Sequence, residues 1–376
     1  MKLIEAFYLY HFLSFIGSFF RNTKQIKVRE DIQGKKKFLA LIFSHNEEKI
    51  IKNSIKSLKR QEYPGEIDII VVADNCNDST RKIAENLGSK VLERKSELKG
   101  KQYALMWVLK RINLSEYYAV AVFDADNIVD RKFFSVMEAG LEKYDVIQGY
   151  VETYNKKSWL SGSYALMYYY MQRLISFKNS IGLTAWLGGK GWVAKTEVIR
   201  KVFPDLKTLV DDVEYTVQLL LKGYKVGFAK NAVVYDLQPD DLLVSIKQRA
   251  RWTQGQTKVF LYYLWPMVKS LFSFIKAGEF LKAVRIADAL MWLPMNLFIL
   301  YSFFSNIFIN AGGYILGIIL TTPLMFYLIA LTEKRSIKDY FYSLFSGVFF
   351  ITWIPATILG IKRTVFNQND WFKTPK

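Results

Sequence analysis

The sequence has one cysteine and a marked shortage of acidic residues. Cys76 stands alone in 376 residues, which excludes an internal disulfide and suits a reducing compartment. Lysine and arginine number 52 against 34 acidic residues, so the formal charge is +18. Zinc-finger spacings and a clear RNA-binding signature are both missing. The basic excess therefore fits an anionic lipid surface or a polyanionic ligand such as a nucleotide diphosphate better than nucleic acid.

Two common nucleotide-binding motifs are also missing. The sequence has no G-x-x-x-x-G-K-[ST], and no G-x-G-x-x-G follows the first predicted strand. This argues against a P-loop NTPase and against a dinucleotide-dependent dehydrogenase. Internal repeats and low-complexity segments are absent as well. Because 51% of the residues are apolar and 16% aromatic, the chain is expected to fold.

Long stretches without charge lie at both ends of the chain and predict a membrane protein. Leu3 to Phe20 is nearly uncharged, and we interpret residues 1–22 as a transmembrane anchor. The basic linker at 23–37 then indicates a cytoplasmic catalytic domain, by the positive-inside rule. The alternative is an amphipathic helix that lies on the membrane surface.

The last third of the sequence predicts further membrane segments. An interfacial helix is expected at 259–280, where Pro266 and Lys269 interrupt an aromatic stretch. Residues 281–361 contain three apolar segments, which we place at about 286–309, 312–331 and 340–361. A third full span would put the basic tail 362–376 outside the cell, against the positive-inside rule. Either the rule fails here or the last segment re-enters near Pro355. The prediction is a multi-pass protein of the cell membrane.

Between these regions, strands and helices alternate, which predicts an α/β domain with a mostly parallel sheet. The domain is assigned to residues 38–258. Strands are expected at 38–43, 67–73, 120–123, 145–151 and 225–235. Helices are expected at 79–87, 100–111, 130–143 and 209–222, the third capped by Asp130 and the last ended by Gly223.

The most informative stretch is Ala119 to Asn127, where an apolar strand ends in Asp124 and Asp126. Ligands bind beyond the carboxyl ends of parallel strands. Side chains alternate along a strand, so both carboxylates lie on one face. Two such oxygen ligands suit Mg²⁺ or Mn²⁺ bound to a diphosphate. A simple strand end followed by a capping aspartate is the alternative.

A helix that opens at residues 239–241 bears Gln248, Arg251 and Trp252 on one face, because their spacing is i, i+3 and i+4. Arg251, and Lys101 at the start of an earlier helix, are suited to binding a diphosphate. Trp252 offers an aromatic surface for a sugar, or else an anchor at the membrane interface.

Taken in order, the motifs resemble those of family 2 glycosyltransferases, the inverting class that includes hyaluronan, chitin and cellulose synthases. The similarity covers nearly the whole chain. The matching segments are His45-Asn46-Glu47-Glu48, Asp74 to Thr80, Gly100-Lys101, Asp124-Ala125-Asp126, Gly188-Gly189-Lys190-Gly191, Val210-Asp211-Asp212, Gln248 to Trp252 and the terminal Trp371 to Lys376. Each segment is weak evidence alone, but their common order is specific.

The resemblance implies a GT-A-type nucleotide-sugar-binding domain with a mixed, mostly parallel sheet, followed by α-helical transmembrane segments. It implies that Asp212 is the catalytic base and that Asp126, with Asp124, binds Mg²⁺ or Mn²⁺. Gly189, Gly191 and Trp252 would line the acceptor site. The residues implied to bind the nucleotide or its diphosphate are His45, Asn46, Glu47, Asp74, Lys101, Asp124, Gln248 and Arg251. Asp74 would contact the base, usually uracil.

Some residues depart from the family pattern or have simpler explanations. Val210 and Asp211 replace Thr and Glu, and Lys190 stands where Asn is usual, which leaves the shape of the acceptor pocket open. Asp212 is alternatively an N-terminal helix cap, and His45 a loop residue without chemistry. Trp186 and Trp192 are either core residues or acceptor contacts.

Three functions remain open at this point. The leading expectation is a membrane-bound inverting enzyme that transfers a hexose-type sugar from a UDP-sugar to a growing polysaccharide and guides it into the membrane. The second is a single transfer onto a lipid acceptor. The third is a non-catalytic membrane protein that binds nucleotide sugars. The expected partners are a UDP-sugar, a polysaccharide or lipid acceptor, the bilayer and a second copy of the chain, but not nucleic acid.

Overall fold

The computed structural model describes residues 2–28 and 36–366, without the side chains of 2–4, 307–309, 311 and 314. Residues 367–376 of the predicted basic tail, with its terminal motif from Trp371 to Lys376, lie outside this description, as do residues 29–35 of the basic linker. The chain divides into two compact units. The sheet unit comprises Thr23–Glu152 and Asn179–Asp236, and the helical unit comprises Met1–Asn22, Thr153–Lys178 and Leu237–Lys376.

The described part of the sheet unit contains one eight-stranded sheet in the order β3-β2-β1-β4-β7-β6-β8-β5. The strands are β1 Phe38–Ser44, β2 Ile67–Asp74, β3 Lys90–Arg94, β4 Ala119–Asp124, β5 Ile128–Val129, β6 Val146–Thr153, β7 Trp192–Lys195 and β8 Val226–Asp236. The first four pair in parallel, whereas β7 is antiparallel to β4 and β6, and β5 to β8. This confirms the predicted mixed, mostly parallel sheet.

The register of the parallel strands brings their carboxyl ends to one edge. Ser44 lies opposite Ala73, and Phe43 lies opposite Asp124. All seven residues of β1 are buried, as expected for a central strand covered on both faces. The loops after β1 and β2 and the carboxylate at the end of β4 therefore meet at the edge where the sequence predicts the ligand site.

Helices pack on the sheet and bury a continuous apolar core. They are α2 Ile51–Lys59, α3 Thr80–Asn86, α4 Lys101–Leu109, α5 Phe133–Leu141, α7 Thr196–Lys201 and α8 Asp211–Leu221. Phe123 of β4 contacts Phe133 and Phe134 of α5, with ring centroids 5.4 and 6.3 Å apart. α5 begins at Phe133 and not at Asp130, because the Asp130 carboxylate accepts from the Lys132 backbone N–H and forms a turn before the helix.

The helical unit contains longer elements: α1 Lys2–Phe20, α6 Trp159–Ser180, α9 Leu242–Lys276, α10 Phe280–Trp292, α11 Met295–Thr332, α12 Ile337–Ser343, α13 Ser346–Ile351 and α14 Trp353–Val365. The last two residues of α6 belong to the sheet unit. Within the described residues, Phe280–Asn306, Ile315–Thr332 and Ser346–Val365 are long and apolar enough to cross a membrane. α1 is not among these three, so its role as an anchor stays a prediction.

Several boundaries differ from the predicted ones. The expected separate helix at 259–280 is continuous with the helix that precedes it, since α9 runs through Pro266. Its start agrees with prediction, because the Asp241 side chain accepts from the Val244 N–H at 2.8 Å. The segment predicted at 340–361 is divided among α12, α13 and α14, and the last break falls at Thr352, before Pro355. α11 is interrupted at Asn310, between the apolar segments predicted at 286–309 and 312–331.

Candidate active site

The loops that follow β1 and β2 are bonded to each other. Nδ1 of His45 lies 2.7 Å from the Asp74 carbonyl oxygen, and the Asn77 N–H donates to Oδ1 of Asn46 at 2.7 Å. The Glu47 N–H donates to the Thr80 hydroxyl at 2.8 Å. These contacts give His45 and Asn46 a role in shaping the loop. Their predicted contacts with a nucleotide stay predictions.

Asp74 ends β2 and is held by Arg94, a residue that the sequence analysis did not single out. Nη1 of Arg94 donates to Asp74 Oδ1 at 2.5 Å, and both residues are buried. Burial raises the pKa of Asp74, while the Arg94 guanidinium opposes this rise. The Asp74 carboxylate is thus fixed in orientation by a buried cation.

The Lys101 side chain donates hydrogen bonds both to the end of β4 and to the loop that contains Gly189. Its ammonium donates to Asp124 Oδ1 at 2.5 Å and also to the carbonyl oxygen of Gly189. Gly189 belongs to the glycine loop, which we define as Gly188 to Gly191. Two predicted site residues from distant parts of the sequence, Asp124 and Gly189, therefore share one lysine. This position suits Lys101 for neutralising a nearby anion.

Asp126 belongs to a buried polar network that also includes the backbone N–H of Asp124. The Asn127 side-chain amide donates to Asp126 Oδ1 at 3.3 Å and to Asp236 Oδ1 at 2.9 Å, and the Asp124 N–H donates to Asn127 Oδ1 at 2.8 Å. Lys190 of the glycine loop donates to Asp236 Oδ2. Lys190, which departs from the family pattern, thus has an acidic partner at the end of β8.

The described residues offer two carboxylate ligands for a divalent cation, whose other coordination positions are left to water or to the oxygens of a bound ligand. Among the described residues, no group of three or more His, Cys, Asp or Glu residues is arranged to hold a metal ion. Asp124 and Asp126 supply hard oxygen donors at one strand end. Mg²⁺ is often bound by one or two carboxylates plus substrate phosphates, so two carboxylates are sufficient for that mode of binding.

The glycine loop passes close to Asp212, the predicted base. Gly189 has φ +75°, and a Cβ placed on it would lie 3.4 Å from Asp212 Oδ2. Gly191 has φ +63°, and a Cβ there would lie 2.7 Å from Val234 Cγ2, which leaves no room for a side chain. Asp212 stands in the first turn of α8. Lys101, Asp124, Gly189 and Asp212 are therefore gathered within the sheet unit.

Two acidic neighbours of Asp212 are buried. Asp211 is 8% exposed, and its Oδ2 has no hydrogen-bond partner among the described residues. Burial, with the negative charges of Asp212 and Asp124, raises the pKa of Asp211 to about 7, against the effect of Lys101. Glu214 accepts from the N–H groups of Lys207 and Thr208 at 2.9 and 2.8 Å, and so fixes the segment before α8.

Gln248, Arg251 and Trp252 lie on α9 in the helical unit. The Tyr164 hydroxyl donates to Gln248 Oε1 at 3.3 Å, and the Trp252 ring meets the Tyr164 ring edge to face, with centroids 6.3 Å apart. Arg249, the other arginine of this motif, is fully buried. The predicted contacts of Gln248 and Arg251 with a diphosphate, and of Trp252 with an acceptor, stay predictions.

Comparison with known proteins identifies the family. Residues 36–255 match the family model described as "Glycosyltransferase like family 2". The chain belongs to this family. Its fold is the GT-A glycosyltransferase fold, followed by three apolar helices that are candidate membrane spans.

Relatives of this family 2 chain include enzymes with different products. A probable glycosyltransferase of Bacillus subtilis, YdaM, is 27% identical over 99% of this chain and 86% of the relative. The poly-β-1,6-N-acetyl-D-glucosamine synthase of Staphylococcus epidermidis is 23% identical over 91% of this chain and 85% of that enzyme. The β-monoglucosyldiacylglycerol synthase of Synechocystis is 27% identical over 67% of this chain and 56% of that enzyme.

Among solved structures, a mannosyltransferase from Pyrobaculum calidifontis in complex with GDP-mannose and Mn²⁺ has a TM-score of 0.60. It covers 98% of this chain, and 99% of that structure is matched, at 14% sequence identity. At this identity the similarity supports the fold alone.

The family 2 motifs predicted the acidic and glycine positions but not their partners. Arg94, Asp236 and Glu214 have no signal in the sequence beyond their charge, because their partners are distant or are backbone groups. Trp186 and Trp192, for which the sequence allows either a core or an acceptor role, are 4% and 1% exposed. Both therefore belong to the core in this structure.

Proposed function

We propose that this chain is a membrane-bound, inverting, metal-dependent glycosyltransferase that uses a UDP-sugar to extend a polysaccharide. The observation that carries the proposal is the gathering of Lys101, Asp124, Gly189 and Asp212 at the carboxyl edge of the sheet. This places a cation, a proposed metal ligand and a proposed base around a backbone loop that is free of side chains at Gly189. During the reaction, both the sugar donor and the acceptor need access to these groups.

The reaction follows from the chemistry of these groups. The acceptor hydroxyl attacks the anomeric carbon while the bond from that carbon to the diphosphate breaks, so a single displacement inverts the configuration. Asp212 accepts the hydroxyl proton as the new C–O bond forms, and such a base typically contributes about 10²–10⁴-fold in rate. Lys101 offsets the charge on the departing UDP. A bound Mg²⁺ or Mn²⁺, held by Asp126 and Asp124, would neutralise the same diphosphate.

The similarity to known enzymes and the apolar helices support a polysaccharide as the product. The similarity to the S. epidermidis synthase covers most of both chains. Three candidate spans lie after the match to the family model, and they support a location in the cell membrane with the sheet unit in the cytoplasm. The Synechocystis relative favours a second candidate, transfer of one sugar to a diacylglycerol-type lipid.

Replacing Asp212 with Asn tests the proposed base. We expect Asp212→Asn to lose transfer by about 10²-fold or more and to keep its affinity for UDP, because the amide cannot take the proton but fills the same space. Initial rates of transfer and titration with UDP measure the two effects. Wild-type rates in the Asn variant would contradict the mechanism.

The size of the product distinguishes the two acceptors. The full chain in detergent is incubated with Mn²⁺ and a panel of radiolabelled UDP-sugars that includes UDP-N-acetylglucosamine. Products are then separated by gel electrophoresis and by partition between organic solvent and water. A labelled product of high molecular weight supports the polysaccharide synthase. A single product that is extracted into solvent contradicts it and supports the lipid acceptor.

A further inference from the structure

Lys101 is bonded to two parts of the site that have different roles in the proposed reaction. Its ammonium contacts Asp124 Oδ1 at 2.5 Å and the carbonyl oxygen of Gly189. Asp124 belongs to the proposed metal pair, whereas Gly189 lies beside Asp212. The side chains of Lys101 and Asp124 are 19% and 29% exposed, so this ion pair is partly shielded from water yet still accessible to ions.

Other bonds hold the glycine loop independently of Lys101. The Gly191 N–H donates to the Val122 carbonyl at 2.8 Å, and the Gly188 N–H donates to Gln148 Oε1 at 2.8 Å. Lys190 is bonded to Asp236, whose side chain is 2% exposed. The contact at Gly189 can therefore be broken without detaching the loop from the sheet, and its loss affects mainly the residue nearest Asp212.

An ammonium group and a divalent cation compete for the same carboxylate. Both are stabilised by the negative charge of Asp124, and they repel each other when both lie close to it. We propose that Lys101 is an internal counter-ion of Asp124 that a divalent cation displaces, and that this displacement frees the Gly189 carbonyl. Binding of the metal and donor is thereby coupled to the glycine loop next to the base.

This inference rests on the proposed function, since it takes Asp124 to be a metal ligand. It also gives Lys101 two successive partners. The ammonium first pairs with Asp124, and after displacement it is available to the diphosphate that arrives with the metal. Lys101 is thus a positioning residue for the glycine loop as well as a contact for the leaving group.

Binding of Mn²⁺ tests the competition directly. The full chain in detergent is titrated with Mn²⁺, with and without UDP, and free Mn²⁺ is followed by electron paramagnetic resonance. Without UDP, Lys101→Met is expected to bind Mn²⁺ roughly two- to fivefold more tightly than wild type, since a partly exposed ion pair of this kind changes an equilibrium by up to about fivefold. With UDP present, the same variant is expected to bind UDP more weakly, because the diphosphate loses a cation.

A matched control uses the neighbouring lysine. Lys99 is exposed and lies two residues before Lys101, so Lys99→Met removes the same charge from the same segment. Its Mn²⁺ affinity should stay near the wild-type value, because exposed charges are strongly screened. An equal gain in both variants would mean that the effect comes from net charge and would overturn the proposal.

Hydrogen exchange gives a second readout that does not depend on catalysis. In wild type, Mn²⁺ should increase amide exchange in the peptide covering 186–192, whereas in Lys101→Met the exchange should be high without Mn²⁺. Lys101→Gln, which has no charge but keeps a donor for the Gly189 carbonyl, should bind Mn²⁺ tightly with less exchange than Lys101→Met. It also replaces the Met variant if that protein does not fold.

The outcomes separate this proposal from the proposed function. If wild type binds Mn²⁺ and the Lys101 variants bind it no more tightly, only the competition is wrong. Unchanged exchange at 186–192 in every protein would likewise overturn the coupling to the glycine loop. If no protein binds Mn²⁺ even with UDP, the metal assignment fails, and this inference fails with it.

Discussion

Asp211 places a second carboxylate directly beside the proposed base. Its side chain is buried at the start of α8, and its Oδ2 lacks a hydrogen-bond partner among the described residues. Removal from water raises its pKa to about 7, and the charges of Asp212 and Asp124 act in the same direction. Near neutral pH the Asp211 carboxyl therefore gains and loses a proton.

The raised pKa predicts a pH-dependent stability. An unperturbed aspartate has a pKa of 3.8, so between about pH 4 and pH 7 the folded chain holds a proton that the unfolded chain has released. The stabilisation that this proton provides is complete below the lower value and is lost as pH rises through about 7. Asp211→Asn is neutral throughout, so its melting temperature relative to wild type should increase by a few degrees from about pH 5 to about pH 8.

The measurement uses the detergent-solubilised protein with a chelator present, so that no metal shifts the titration. Glu214→Gln is a suitable comparison, because Glu214 lies on the same helix and its carboxylate accepts two backbone N–H groups. A difference between Asp211→Asn and wild type that does not change with pH would show that Asp211 is ionised throughout this range.

At this scale, the sequence predicted where two of the proposed site residues stand in the local structure. Asp124 ends a buried strand and Asp212 begins a helix, and both positions follow from local patterns. The partners were not predictable in this way. Asn127 and Asp236 are 109 residues apart, and only the completed sheet brings their side chains together.

Within the helical unit, Arg249 joins α9 to the segment around α13 and α14. Its guanidinium donates to the Thr352 hydroxyl at 2.9 Å and to the Phe349 carbonyl at 3.5 Å, and it lies 4.7 Å from the Phe349 ring centroid. Arg251, two residues further along the same motif, is only partly buried. The two arginines of one short motif therefore have different expected roles, a structural one and a ligand-binding one.

Alanine substitutions separate these roles. Arg249→Ala leaves a cavity and unpaired polar groups between helices, and we expect a loss of roughly 2–5 kcal/mol in stability. Arg251→Ala should keep the wild-type melting temperature and bind UDP more weakly. Thermal unfolding in detergent and UDP titration measure the two properties. The assignment is wrong if both variants unfold at the wild-type temperature, or if Arg251→Ala alone is destabilised.

The elements that were not predicted are held by distant contacts. α6 is a 22-residue helix whose basic side chains find acidic partners far along the chain. Arg173 pairs with Glu333 at 2.6 Å, and Lys178 pairs with Asp288 at 3.0 Å. β3 and β7 are short strands of five and four residues, which carry little periodic signal. Helix α8, in contrast, was predicted to within two residues because an acidic start and Gly223 mark its ends.

At the scale of the whole molecule, α6 lies within the segment that matches the family model, yet nearly all of it belongs to the helical unit. The family match spans residues 36–255, yet residues 153–178 and 237–255 within it belong to the helical unit. Ala165, Leu166 and Tyr169 of α6 form a buried cluster with Phe326 and Ile329 of α11. The part of the chain that matches the family is thus not a self-contained folding unit.

This arrangement predicts that residues 36–255 do not fold alone in water. Lys156, Arg173 and Lys178 would lose Asp339, Glu333 and Asp288, and removing one partner of a buried ion pair costs about 3–5 kcal/mol. The apolar face of α6 would also be exposed, which favours aggregation. Size-exclusion chromatography should show aggregates for 36–255, whereas the full chain in detergent should elute as one species. A monodisperse 36–255 that binds UDP without detergent would show that α6 does not depend on the C-terminal helices.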